Sequence, residues 1–200
     1  MRVEFPEPVP ADGIAQFVGN TSQIGLLVVV LVAASALAVD ARREMAVFLR
    51  TRARAVRDIV IPAYVVNAGA AGVALVAGSL VAWYETTVLL GAVPVAEMLI
   101  GMVLGALFLA FAVALTAAVA SVMRGVAATA GVTLAGLLGM AILGGLTPLG
   151  RWLPTRLTGA MTDLVRGGSA GDYLPAVMTS LVATVAAVTV AVLVGARREL

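Results

Sequence analysis

The side chains best suited to bind a partner lie in one polar stretch, residues 40–58, between two long apolar runs. Met45, Phe48 and Leu49 follow i, i+3, i+4 spacing, so they form the apolar face of a predicted amphipathic helix. Charged side chains flank that face on both sides. The candidate partner-binding residues are Arg42, Arg43, Glu44, Met45, Phe48, Leu49 and Arg50.

Two interpretations of this helix are open. In the first, its arginines contact anionic membrane lipid, each contributing on the order of 1 kcal/mol. In the second, the helix docks on a cytoplasmic protein partner. The residues alone favour neither interpretation.

Glu97 is the main ionisable residue inside a predicted membrane span. It falls about one turn into the third span, where a carboxylate commonly reaches headgroup water. The alternative is a role in a substrate path, as part of an outer gate.

Catalytic groups are scarce in the rest of the chain. It contains no His, no Cys and no Lys, which removes imidazole bases, thiolates, the commonest metal ligands and the lysine of Walker-type nucleotide sites. We therefore predict no enzymatic activity, no metal and no cofactor in this chain. A net charge of only +2 gives no support for nucleic-acid binding.

The elements that position these residues are predicted to be membrane helices. Of the 200 residues, 62% are hydrophobic and 12% are charged, and the mean hydropathy is +1.08. The pattern predicts one all-α polytopic membrane domain over residues 1–200. Its five spans are expected at about 21–39, 59–83, 95–120, 126–146 and 174–195. Pro6, Pro8 and Pro10 are expected to keep the preceding residues out of a helix.

Small and polar residues within the spans predict how the helices pack. Glycine permits close approach between helices, and we assign this role to Gly101, Gly105, Gly131 and Gly139. Asn67, Thr116, Thr129 and Thr133 are expected to form hydrogen bonds between helices.

Between the last two spans, residues 149–173 carry apolar residues at nearly helical spacing. They predict an amphipathic helix lying in the outer interface.

Arginine positions predict the orientation in the membrane, because basic residues beside spans favour the cytoplasmic side. We expect the N-terminus outside, and the 40–58 stretch and the C-terminus in the cytoplasm, in the inner membrane of a bacterial cell. This threading puts nine arginines inside, namely Arg42, Arg43, Arg50, Arg52, Arg54, Arg57, Arg124, Arg197 and Arg198. Four lie outside, namely Arg2, Arg151, Arg156 and Arg166.

The order of these features resembles the permease subunits of the ABC-2 family of ABC transporters. Members typically follow an early span with Glu-Arg-x-x-Gly-Thr-Leu, apolar residues and Pro-x-Ser-Arg. Residues 41–54 here read ARREMAVFLRTRAR, with Met45 and Ala46 where Gly-Thr is usual and Ala53 where Pro is usual. Pro148-Leu149-Gly150, an outer segment, a final span and an Arg-Arg-Glu-Leu ending also resemble the family. The family usually has six helices and a cytoplasmic N-terminus, so the resemblance implies that this chain begins at the family's second helix.

The resemblance implies a function in transport. Residues 41–57 would form a coupling helix against a separate ABC ATPase subunit, which would bind ATP and magnesium. A second permease subunit, the same or different, would complete the translocation path. Export of a lipid, peptide or drug-like amphiphile is the usual role. The alternative is a non-transporting scaffold or regulatory subunit of a larger membrane complex.

Overall fold

A computed structural model describes residues 9–38 and 56–197. The regular structure in these two ranges is entirely helical, in agreement with the predicted all-α class. The α-helices are α1 (Pro10–Asn20), α2 (Leu26–Leu37), α3 (Arg57–Leu89), α4 (Val95–Ala120), α5 (Val126–Leu146), α6 (Ala160–Val165) and α7 (Leu174–Arg197). A π-helical turn, Thr21–Gly25, joins α1 to α2, and 3₁₀ turns cover Pro148–Trp152, Pro154–Gly159 and Ala170–Tyr173.

Five helices are long and apolar enough to cross a membrane, as the hydropathy pattern predicts. They are Pro10–Leu37, Arg57–Leu89, Val95–Ala120, Val126–Leu146 and Ala170–Arg197. The third and fourth have the predicted bounds. The second extends to Leu89, past the predicted end at residue 83, so Trp83 lies within the helix.

The start of the first helix corrects the sequence prediction. Pro10, expected to interrupt a helix, is its first residue. Proline is well tolerated there, because the first helical N–H groups have no partner within the helix. The Val9 N–H donates to the Asp12 carboxylate at 3.1 Å, which secures this end.

Helix α4 forms the centre of the bundle. It contacts α2, α3, α5 and α7, and it contributes Leu104, Phe108 and Phe111 to the main apolar core. Leu75 from α3 and Leu137 from α5 join the same core. The other long helices keep much of their apolar surface exposed, which suits lipid or another subunit.

The segment between α5 and α7, residues 148–173, is here called the cap. It is not the single amphipathic helix predicted, because Pro148 and Pro154 each begin a separate 3₁₀ turn and only α6 is α-helical. Leu157 and Leu164 are buried in the main core, while Met161 joins a second core cluster with Ile14 of α1. The cap is therefore packed into the bundle rather than lying on it.

Two polar contacts join parts of the cap to each other and to α1. Arg166 pairs with Asp12 at 3.4 Å, with both side chains about half exposed. The Tyr173 hydroxyl donates to the Asp163 carboxylate at 2.7 Å.

The bundle has two distinct ends. The cap lies at one, beside the start of α1 and the end of α3. The opposite end carries Arg57, Arg124 and Arg197 at helix ends and turns. A Cβ placed on Gly195 would lie 2.9 Å from Val56, which shows that α3 begins close to where α7 ends.

Candidate functional site

The predicted partner-binding residues, Arg42, Arg43, Glu44, Met45, Phe48, Leu49 and Arg50, lie outside the described residues. The structure does locate the two points between which this stretch runs. Helix α2 ends at Leu37 and α3 begins at Arg57, both at the end opposite the cap. The two helix ends that the arginine-rich stretch connects in the sequence therefore lie at the same end of the bundle.

Glu97 occupies the first turn of α4, near the cap. Its side chain is partly buried, and among the residues described here it forms no ion pair or side-chain hydrogen bond. An acidic residue is favourable in the first turn of a helix, because the helix dipole is positive there. The next residue, Met98, is fully buried in the apolar cluster with Ile14 and Met161. Glu97 thus lies at the edge of this apolar cluster.

Gly101 and Gly105 make close contacts within the chain. A Cβ on Gly101 would lie 2.6 Å from the Cα of Met161, too close without moving the backbone. A Cβ on Gly105 would lie 3.0 Å from the Leu75 side chain. Both glycines therefore serve packing between α4 and its neighbours, Gly101 against α6 of the cap and Gly105 against α3.

Gly131 and Gly139 differ from that pair. A Cβ at either position would have nothing within 4 Å among the described atoms. The fold of the described part of the chain thus places no requirement for a glycine there. A role in contact with another subunit stays a prediction.

A small cavity lies beside the π-helical turn, where Thr21 and Ser22 face α4 and the cap. Its volume is about 40 Å³, and Gly101, Gly105 and Met161 form part of its wall. A π-helical turn usually reflects one extra residue in an α-helix, and such turns often occur at functional sites. The described wall carries hydroxyl groups but no ionisable side chain, so the cavity can hold water or a small apolar group.

The four polar residues expected to bond between helices instead donate within their own helices, which corrects that prediction. Asn67 donates to the Ala63 carbonyl at 2.8 Å, and Thr133 donates to the Thr129 carbonyl at 2.8 Å. Thr116 and Thr129 likewise donate to carbonyls four residues earlier. No Asp, Glu or Arg of residues 9–38 and 56–197 is buried. The described interior offers no polar path through a single chain.

The cap contains polar features that the sequence did not single out. The Asp12–Arg166 pair joins residues 154 positions apart, a separation at which no periodic pattern operates. Tyr173 and Asp163 are ten positions apart, on either side of the glycine turn at Gly167.

Comparisons with known proteins were made at three levels. No protein-family model, no curated protein and no solved structure matches this chain.

Proposed function

We propose that the chain is a membrane-spanning permease subunit of an ABC-2-type exporter, powered by a separate ABC ATPase that binds ATP and magnesium. The observation that carries the proposal is that α2 ends and α3 begins at the same end of the bundle, where Arg57, Arg124 and Arg197 lie. In the sequence, the arginine-rich stretch 40–58 connects these two helix ends. Basic residues concentrate at the cytoplasmic end of membrane helices, where an ATPase would dock.

The largely apolar interior favours a subunit that works together with a second permease subunit. Because the described core holds only apolar residues and Ser or Thr hydroxyls, a substrate path would run along the surface between this chain and a second permease subunit. Helices α3 and α7 supply broad exposed apolar faces for such a contact or for lipid.

Coupling would act through residues 41–57. Met45, Phe48 and Leu49 would dock in a cleft of the ATPase, with Arg42, Arg43 and Arg50 at its rim. Closure of the ATPase on ATP would push on this helix and shift the permease between inward-facing and outward-facing states.

The experiment compares apolar and charged contacts of this stretch. The ATPase would be co-purified with wild type, with Phe48→Ala and with an Arg42→Ala/Arg43→Ala/Arg50→Ala triple variant, in neutral and in anionic lipid. Buried apolar anchors dominate binding, so Phe48→Ala is expected to weaken the complex by about 2 kcal/mol, more than any single arginine. Thr51→Ala, in the same stretch but off the apolar face, is the matched control. If Phe48→Ala leaves both assembly and coupled ATP hydrolysis at wild-type levels in both lipids, the coupling-helix assignment is wrong.

The same largely apolar interior is also compatible with a second function, a non-transporting scaffold or regulatory subunit. A subunit of this kind needs no substrate path, either within the chain or between two chains. It predicts stable assembly with partner proteins but no ATP-dependent movement of any compound across a sealed membrane. Vesicles containing the purified complex and a panel of fluorescent amphiphiles would separate the two functions.

A further inference from the structure

An open cleft lies where the cap meets the end of α5. Its volume is about 520 Å³, within the range of small-ligand sites. Arg151 and Arg156 line it, together with the hydroxyl-bearing residues Thr147, Thr155 and Thr158.

The two arginines lack a carboxylate partner in the described part of the chain. None of the described residues that line the cleft is acidic. The ion pairs seen between described residues are Arg57–Asp58 and Arg166–Asp12, and neither involves the cleft. The nearby acid Asp163 accepts a hydrogen bond from Tyr173. Two like charges beside one cleft repel each other, and a bound anion would relieve that repulsion.

Aromatic rings position both guanidinium groups without using their N–H donors. Arg156 lies 5.2 Å from the centroid of the Tyr173 ring, and Arg151 lies 5.8 Å from that of Trp152. Contacts of this kind are favourable through the ring face. The five N–H donors of each guanidinium stay available for an oxyanion, which Arg binds in paired hydrogen bonds.

A contact between two glycines shapes the cleft. A Cβ on Gly150 would clash with the Gly144 carbonyl of α5, so the turn that carries Arg151 is held directly against the helix. The cleft is therefore formed in the protein before any ligand binds, which lowers the entropic cost of binding.

Exposed apolar residues adjoin the residues that line the cleft, which indicates a ligand with an apolar part. Leu146, Leu149 and Trp152 are chain neighbours of lining residues and are 77%, 64% and 46% exposed. On α5, Leu143 is next to the lining residue Gly144 and is also exposed. Tryptophan is favoured at the level of lipid headgroups, with acyl chains beneath.

We propose that this cleft binds the phosphate group of an anionic phospholipid, with Arg151 and Arg156 as its ligands and the acyl chains along α5. The site does not depend on the proposed transport function. It would stabilise the junction of the cap with α5 in any assembly that contains this chain.

Tryptophan fluorescence gives a direct test, because the Trp152 ring lies 5.8 Å from the guanidinium of Arg151, a lining residue, and the chain has only two tryptophans. In a Trp83→Phe background, the full chain would be placed in nanodiscs of phosphatidylcholine with increasing amounts of phosphatidylglycerol brominated on its acyl chains. Brominated phosphatidylcholine in the same amounts is the lipid control. We expect Trp152 to be quenched by the anionic lipid at a mole fraction on the order of tenfold lower than by the neutral lipid.

Variants assign that preference to the cleft. Arg151→Ala/Arg156→Ala is expected to remove the preference, whereas Arg166→Ala, an arginine of the cap outside the cleft, is expected to keep it. If the double variant fails to fold, Arg151→Gln and Arg156→Gln are tested singly, and each is expected to lower the preference. Equal quenching by both lipids in the parent protein, or an unchanged preference in the cleft variants, would overturn the proposal.

Inorganic phosphate in the same assay identifies the source of the anion. If phosphate relieves the quenching by phosphatidylglycerol, the cleft binds free phosphate as well as the lipid. If the quenching persists, the site requires the lipid. In both cases a phosphate group is the ligand. The result shows whether the exposed apolar residues beside the cleft contribute to binding.

Discussion

At the residue scale, the chain contains two kinds of membrane-helix glycine that the sequence cannot tell apart. Gly101 lies against the Met161 backbone, whereas Gly131 faces open space. Both occur in apolar helices rich in small residues. Since periodicity does not show which face meets a neighbour, only the packed structure separates the two kinds.

This difference predicts opposite responses to the same substitution. Gly101→Ala is expected to lower the free energy of unfolding by about 1–3 kcal/mol, because the added methyl group forces backbone atoms of α4 and the cap apart. Gly131→Ala is expected to be neutral or to stabilise by up to about 1 kcal/mol, because alanine has the better helix propensity. The measurement is unfolding of the purified protein in detergent followed by circular dichroism. Equal losses at both positions would contradict the described contact between α4 and α6.

Tyr173 offers a second test at this scale. Its ring is buried and its hydroxyl donates to Asp163. Tyr173→Phe keeps the ring and removes that hydrogen bond, so a loss of about 1 kcal/mol of stability is expected. Tyr84→Phe is the matched control, because Tyr84 is 72% exposed. Identical thermal unfolding midpoints for the two variants would show that the hydrogen bond contributes no stability.

At the element scale, the π-helical turn is the feature with the clearest consequence. If Thr21–Gly25 holds one extra residue, deleting Ser22 restores a regular α-helix and leaves the faces of α1 and α2 in register. Deleting Val29 from α2 would instead rotate one part of the helix by about 100° relative to the other. We expect the Ser22 deletion to fold with a near-normal unfolding midpoint and the Val29 deletion to unfold or aggregate. Size-exclusion profiles and thermal scans of the two proteins decide the matter, and equal damage from both deletions would count against an inserted residue.

The elements also show which parts of the fold sequence reasoning reaches. The spans 95–120 and 126–146 were predicted with the observed bounds, because each is a continuous apolar run between proline, glycine or arginine residues. Helix α1 was missed, since Asp12, Gln16 and Asn20 lower its hydropathy and Pro10 was interpreted as a helix breaker. The cap was misassigned because a 3₁₀ turn repeats every three residues, and spacings of three and four also fit an α-helix.

The cleft lined by Arg151 and Arg156 could not be predicted from the sequence as the membrane spans could. Arg151 and Arg156 are five positions apart and were assigned only a side of the membrane. Their common cleft depends on the Gly144–Gly150 contact between α5 and the cap, which no local spacing encodes. Which charged residues share a cleft depends on the tertiary structure, whereas a membrane span can be recognised from a local run of apolar residues.

At the scale of the whole molecule, the two ends of the bundle predict its orientation. The cap and Ser169 are expected outside the cell, and the 40–58 stretch is expected in the cytoplasm. Because the chain has no cysteine, single cysteines report on this directly. A membrane-impermeant thiol reagent should label Ser169→Cys in intact cells and spare Thr51→Cys, while broken cells should label both. The reverse pattern in intact cells would invert the topology and remove the proposed ATPase contact.

Assembly is the remaining property of the whole molecule that can be tested. Helix α4 uses its small residues within the chain, but α5 leaves Gly131 and Gly139 open, and small residues allow close approach between membrane helices. We expect the protein in nanodiscs to have the mass of a complex with a second permease subunit. Gly131→Leu is expected to shift the measured mass toward that of a single chain. The shift should occur without loss of the thermal unfolding midpoint, because the described fold leaves room at that position. Gly69 on α3 also has open space, so Gly69→Leu tests whether the second subunit contacts α3 instead of α5. A wild-type mass that corresponds to one chain, with neither a second permease nor an ATPase bound, would count against a transporter and leave the lipid-facing interpretation of these helices in its place.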